Sequence, residues 1–279
     1  MGAHVTGMYI DSTLQTLLAG CGLAAALALA APGASAAKRH ARHPAAPASA
    51  PAPQGRLIAR TTPFSSGPLA ATAPPGWATV PAPKVDHQTR YDLVMDDGSI
   101  VLRARADGSA SSLRHGMFVD PKQTPVMRWR WRTQRMLQGA DLADDGRDDQ
   151  VARIYVYFER SEGAMTMKER ALFKLGRARH GTQQLSAALC YVWDNTHPAG
   201  SIHESPDTPF VAMVVAANGE APLGRWVSLQ RDVTEDYRRA FNTDPTRIIG
   251  VAVEVDTDDT GETATTWFGD IDFVAANHR

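Results

Sequence analysis

Period-2 alternation of apolar and polar residues, broken at short intervals by turn chemistry, limits what this chain can fold into. YDLVM (91–95) and SIVLRARA (99–106) flank Asp96-Asp97-Gly98, a hairpin signature. VMRWRWR (126–132), VARIYVYFE (151–159), LSAALCYVW (185–193), PFVAMVVAA (209–217), RWVSLQRDV (225–233), RIIGVAVEV (247–255) and TTWFGDIDFV (265–274) continue the pattern. Strands that each bury one face need a second sheet over it, so the expected fold is mainly β: a two-sheet antiparallel sandwich of jelly-roll type. Two short stretches read as helices, MTMKERALFKL (165–175) and TEDYRRAF (234–241). The second has Thr234 as its expected N-cap and acid in its first turn.

At 43% hydrophobic and 21% charged residues, the 279-residue chain has enough apolar side chain for such a core. A net charge of −1 argues against a nucleic-acid partner. Two cysteines exclude a disulfide scaffold and the paired-cysteine zinc motifs. The apolar run Leu14–Ala31, followed by Ala34-Ser35-Ala36, is the pattern of a signal peptide over residues 1–36. Leu18-Ala19-Gly20-Cys21 also fits a lipobox, which makes lipoprotein processing at Cys21 the minority alternative. Residues 37–56 read as a Pro/Ala-rich basic linker, extended by its prolines. Residues 57–279 then form a single β-sandwich domain. The expectation is an exported protein, periplasmic or secreted, with no membrane span after signal removal. Cys190 would be its only thiol, and it should be buried and inert.

The alternation also assigns faces. Ala152, Ile154, Val156 and Phe158 form one apolar row, opposite Arg153, Tyr155 and Tyr157. Val251, Val253 and Val255 oppose Glu254 and Asp256. Ala188, Cys190 and Val192 are expected in the core, with Tyr191 and Trp193 opposite. Trp129 and Trp131 share a face, opposite Arg128, Arg130 and Arg132. On one sheet, Arg130, Arg153, Tyr155, Tyr157, Tyr191 and Trp193 would make an aromatic and charged platform. Sugar recognition uses such surfaces, because sugar ring faces stack on aromatics while hydroxyls need charged partners. The bland alternative is cross-strand Arg–acid pairing with the aromatics packed under a loop.

Residues 254–272 hold seven acidic side chains in nineteen positions. Calcium needs several oxygen ligands, and Asp256, Asp258 and Asp259 near Gly261, with Asp270 from the next strand, could supply them. Glycoside cleavage needs two spaced carboxyls, for which Glu254 and Asp256 are the candidates. A solvated hairpin loop is the third reading. His197 and His203-Glu204 lie in a Pro/Gly-rich loop and fit no helical metal motif. No Gly-x-Ser-x-Gly elbow, phosphate loop or dinucleotide fingerprint is present.

Several strings together carry a family resemblance: PVMRWRWR (125–132), DDQVARIYVYF (148–158), LCYVWDN (189–195), WVSLQRDVTEDYRRAF (226–241) and GVAVEVDTDDTGETATTWFGDIDF (250–273). They resemble the exported bacterial family termed domain of unknown function 3047. Its pattern maps onto Trp129 and Trp131, then onto Asp148, Asp149 and Arg153, and onto Tyr191 and Trp193. It continues through Arg231, Val233, Asp236 and Tyr237 to Asp256, Asp258, Thr260 and Asp270. Asp232 and Asp259 stand where the pattern has Asn. The resemblance implies one envelope-associated β-sandwich domain and adds no catalytic residue. Glu254-Val255-Asp256-Thr257-Asp258 also resembles the Glu-x-Asp-x-x-Glu string of jelly-roll glucanases, without its closing Glu.

The sequence therefore predicts an exported binding module for a saccharide or cell-envelope component, with calcium at the acidic stretch. The alternatives are a glycoside hydrolase or lyase using Glu254 and Asp256, and a structural envelope protein without a small ligand.

Overall fold

The computed structural model describes residues 57–276, apart from 84, 145, 181–184 and 220. The expected signal peptide, Cys21 and the linker lie outside the described residues. In chain order the strands are β1 (Leu57–Arg60), β2 (Trp77–Pro81), β3 (Arg90–Asp96), β4 (Ser99–Asp107), β5 (Ser111–Val119), β6 (Val126–Thr133) and β7 (Arg153–Glu159). They continue with β8 (Ala187–Trp193), β9 (Ile202–Glu204), β10 (Val211–Ala217), β11 (Val227–Asp232), β12 (Arg247–Glu254), β13 (Thr263–Phe268) and β14 (Asp272–Val274). Helix α1 spans Met167–His180 and α2 spans Val233–Phe241.

The strands form two sheets. One runs β1-β14-β6-β13-β4-β3, with β11 on the other edge of β6; the second runs β2-β5-β12-β7-β8-β10-β9. We call them the β6 sheet and the β7 sheet. Pairing is antiparallel except between β8 and β10, which are parallel. A parallel pair needs a crossover, and residues 194–210 supply it, with β9 added to the edge of β10. The expected 96–98 hairpin is present: Asp97 (φ 46°) and Gly98 (φ 75°) both take the positive φ of a type I′ turn.

The main core lies between the sheets. Its centre is aromatic: Trp129 sits 5.4 Å from Tyr191 and Trp131 5.8 Å from Trp193, ring centre to ring centre. This corrects the face expected for the 185–193 segment. Tyr191 and Trp193 have no exposed surface and point inward. Ala188, Cys190 and Val192 point to the outer face of the β7 sheet. They are buried there with Val211, Met213 and Val215 beneath Leu142 and Leu185. Every residue of β8 is buried, so its alternation separates two covered faces rather than inside from outside. Cys190 is buried as expected, and burial pushes its thiol up to about 12.

Three further details differ from the sequence reading. Asp232, not Thr234, caps α2: its Oδ1 accepts from Thr234 N and Glu235 N, both at 3.0 Å. Thr234 already lies inside the helix and donates its hydroxyl to Pro121 O at 3.1 Å. The expected 265–274 strand breaks into β13 and β14 at Gly269, where a Cβ would meet Arg130 Cγ at 2.6 Å. Helix α1 opens on a capping box, with Thr166 N on Glu169 Oε2 (2.7 Å) and Glu169 N on Thr166 Oγ1 (3.2 Å). Among the described residues, no helix is long and apolar enough to cross a membrane.

Candidate functional site

Strand β7 sends Ile154, Val156 and Phe158 into the main core and leaves Arg153, Tyr155 and Tyr157 on the outer face. Register with β12 decides what each of them meets. Arg153 lies opposite Glu254, Tyr155 opposite Ala252 and Tyr157 beside Gly250. The small residues on β12 leave room for two phenol rings, which stack parallel (2° between planes) with centres 5.9 Å apart. On β5, Arg114 is paired with Ala252 and reaches across the same gap. Its Nη2 donates to Tyr157 Oη at 3.2 Å, and its guanidinium lies 4.7 Å from the Tyr157 ring centre. Tyr155 is 9% exposed and Tyr157 half-buried, so Tyr157 is the accessible end of the pair.

Arg153 holds the acidic end of this face. It is 5% exposed. Its Nη1 donates to Glu254 Oε1 (2.9 Å) and Asp256 Oδ2 (2.7 Å), and its Nη2 donates to Asp148 Oδ2 (3.0 Å). One guanidinium thus faces three carboxyls, and two more stand close by. Single oxygens of Asp149, Asp256 and Asp258 lie within 4.8 Å of one another. Asp149 also accepts from Thr260 N (2.8 Å), Thr260 Oγ1 (2.7 Å) and Asp259 N (3.3 Å), which ties the segment before β7 to the loop after β12. Burial pushes Asp256 well above the ordinary aspartate value, helped by its hydrogen bond with Asp258 and the charge of Glu254 and opposed by Arg153. Burial raises Glu254 as well. Asp259 is pushed up to about 6 by burial and then by the charges of Asp258, Asp149 and Asp148.

A calcium ion bound at about 2.4 Å allows two ligand oxygens to be at most about 4.8 Å apart. The Asp149/Asp256/Asp258 oxygens meet that limit, and their hard carboxylate character suits calcium. Two of the expected ligands, Asp256 and Asp258, are in this group. Asp259 stands beside it, its backbone N–H on Asp149. Asp270 is elsewhere: its carboxylate accepts from Ser65 N (3.0 Å) and Ser65 Oγ (2.6 Å), pinning the turn at residues 64–66. Asp149 takes the place expected for Asp270. The signal for it was the Asp148-Asp149 pair just ahead of a strand, which composition alone does not connect to a loop more than a hundred residues later.

The expected six-residue platform is not one surface. Arg153, Tyr155 and Tyr157 share the outer face of the β7 sheet, with Arg114 as a fourth member that alternation did not reveal. Tyr191 and Trp193 lie in the main core instead, where Tyr191 Oη hydrogen-bonds Asp236 Oδ2 at 3.0 Å. Arg130 is on the outer face of the other sheet, its guanidinium 4.4 Å from the Trp226 ring centre. Its neighbour Arg132 lies over Trp267 (4.3 Å) and pairs with Asp96 (2.9 Å). Asp96 in turn accepts from Trp226 Nε1 at 2.8 Å, so these rings and cations satisfy one another. Glu254 and Asp256 both accept from the same Arg153 nitrogen. A guanidinium therefore occupies the space in which a glycosidic oxygen or attacking water would have to sit between them.

The family model described as "Protein of unknown function (DUF3047)" matches residues 75–272. The chain belongs to this family. Within DUF3047, the matched span takes in Asp149, Arg153, Tyr155, Tyr157 and the 254–260 segment. No curated protein matches the chain. Similar solved structures include an arabinose-bound α-L-arabinofuranosidase (10% identity, TM-score 0.39, 80% of this chain and 27% of that one). A β-1,2-glucanase from Parabacteroides distasonis is also similar (10%, 0.38, 78% and 26%). A third is the xyloglucanase domain of a type three effector from Sinorhizobium fredii (6%, 0.38, 76% and 100%). The chain spans about a quarter of the length of the first two. At these TM-scores the likeness says nothing about activity.

Proposed function

We propose that this DUF3047 protein is an exported, envelope-associated binding module that holds a saccharide on the outer face of the β7 sheet, assisted by calcium. The observation that carries the reading is the junction of a tyrosine pair on β7 with a carboxyl cluster in the segments that flank β7 and β12. A parallel Tyr155/Tyr157 pair adjoins a carboxyl cluster in which three oxygens converge within 4.8 Å. At the tyrosine end the exposed part of half-buried Tyr157 is the surface for a sugar ring, and Arg114, held by Tyr157 Oη through Nη2, has further N–H groups for hydroxyls. The acidic end carries more negative charge than Arg153 balances. Calcium at Asp149, Asp256 and Asp258 would offset that excess and fix the loop after β12, and any remaining coordination positions would be open to sugar hydroxyls. Glu254 and Asp256 act here as partners of Arg153, not as an acid–nucleophile pair.

The test is thermal unfolding of the purified protein against a panel of envelope and plant glycans, with calcium or with EDTA. A ligand at about 100 times its Kd adds roughly 2.7 kcal/mol. At about 2–4 °C per kcal/mol for a domain of this size, that is a rise of roughly 5–11 °C. The reading expects a calcium-dependent rise, a further rise with one glycan class, and loss of the glycan step in Tyr157→Ala. A flat panel with no calcium effect overturns it.

A further inference from the structure

The crossover between β8 and β10 holds a second group of chemistry-bearing side chains that the saccharide reading does not use. Asp194 follows directly on β8 and is 1% exposed. Its Oδ2 accepts from Thr196 N (2.8 Å) and His197 N (2.6 Å), and it stands 3.0 Å from His197 Nδ1. A carboxylate only accepts, so Nδ1 carries a ring hydrogen, and in the neutral imidazole the lone pair is then on His197 Nε2. His203, on β9, has Nε2 at 2.9 Å from Ser201 Oγ. The single hydroxyl hydrogen of Ser201 goes to Pro198 O at 2.7 Å. Ser201 Oγ must then accept from His203 Nε2–H, which leaves the lone pair on His203 Nδ1. The ring centres of His197 and His203 are 4.6 Å apart, with planes at 66°.

Two imidazoles thus sit side by side, each with one nitrogen committed as donor to a fixed acceptor, so that in the neutral rings the other nitrogen is left to ligate. This is how metal-binding histidines are held: a carboxylate or other acceptor on the far nitrogen sets the tautomer and the ring orientation. Two imidazoles on one tetrahedral zinc, with bonds of about 2.0–2.1 Å, place their ring centres about 5 Å apart. The observed 4.6 Å is close to that. Imidazole nitrogen suits zinc, copper and nickel rather than calcium, so this pair and the carboxyl cluster select different ions.

We propose that His197 and His203 form a binding site for a divalent transition-metal ion, zinc being the probe of choice, oriented by Asp194 and Ser201. Two protein ligands leave at least two coordination positions to water or to an incoming oxygen or nitrogen ligand.

The chain has nine histidines, so zinc is best counted by difference. Calorimetric titration of zinc into the full chain, in excess calcium to occupy hard-oxygen sites, should give one more equivalent for wild type than for His197→Gln/His203→Gln. Ser201→Ala should keep the equivalent but weaken it. Loss of an outer partner of this kind typically weakens metal binding about 10–100-fold. Nitrogen-15 spectra of the metal-free protein give a second readout that needs no variant to fold: His197 should be the Nδ1–H tautomer and His203 the Nε2–H tautomer. Equal zinc stoichiometry in wild type and the double variant, absence of zinc binding to wild type, or the opposite tautomers would overturn the proposal.

Discussion

Replacing Arg153 with Met is the perturbation with the most to say about the acidic face. In the native protein this buried guanidinium is hydrogen-bonded to Glu254, Asp256 and Asp148. Removing one partner from a buried ionic group costs about 3–5 kcal/mol, because charge is left without compensation. At about 2–4 °C per kcal/mol this lowers Tm by roughly 6–20 °C. The loss should depend on pH, in a direction fixed by the carboxyls. Glu254 and Asp256 already sit above their unfolded values, chiefly through burial, and Arg153 is what holds them down. Without it they rise further. A group raised in the folded state stabilises fully below its unfolded pKa and loses that contribution as pH rises through its folded pKa. Arg153→Met should therefore be hurt more at about pH 7.5 than at about pH 5. Arg153→Met/Glu254→Gln/Asp256→Asn, which removes two of the three stranded carboxylates and leaves only Asp148, should recover much of the loss. Thermal unfolding by circular dichroism at both pH values reads all of this. A loss below about 1 kcal/mol, within the ordinary range of single substitutions, or one that is equal at both pH values, would refute the reasoning.

Three further outcomes are expected. Asp259 is raised from 3.8 to about 6, so its contribution is complete below pH 3.8 and lost as pH rises toward 6. In calcium-free buffer, Asp259→Asn should raise Tm above pH 6 and leave it unchanged at the acid end, which paired melts would show. Trp193→Ala should destabilise by about 3–5 kcal/mol, as core aromatics do, whereas Tyr157→Ala should change stability far less; chemical denaturation of both variants checks the assignment of Trp193 to the core. Asp232→Ala should cost about 1 kcal/mol for the lost cap, while Asp232→Asn stays near neutral because Asn caps equally well, again by denaturant titration.

Much of the fold was legible because period 2 is a direct signature of a strand with one covered face. The Asp97-Gly98 turn was readable from its positive-φ requirement, and the apolar row Ile154, Val156 and Phe158 does face the core. Alternation failed on β8, where both faces are covered and apolarity cannot choose between them. The clue there was Tyr191-x-Trp193 matching Trp129-x-Trp131, two aromatic pairs of equal spacing that meet across the sheets. Strands β1, β2, β5 and β9 went unread; in β5, SSLRHGMFV (111–119) has no clean alternation, and with it went Arg114. The acidic stretch was visible as composition. Which of its members converge depends on β7–β12 register and on the turn at Gly269, neither of which a local window contains. That is why Asp149 joins Asp256 and Asp258 while Asp270 leaves to hold Ser65.

Calcium titration by calorimetry on wild type and on Asp149→Asn/Asp258→Asn tests the Asp149/Asp256/Asp258 site most directly. One calcium is expected to bind wild type at neutral pH and to be lost both in the double variant and on acidification, which protonates the raised Asp256 carboxyl. Absence of calcium binding to wild type, or an equal affinity in the double variant, would contradict that expectation.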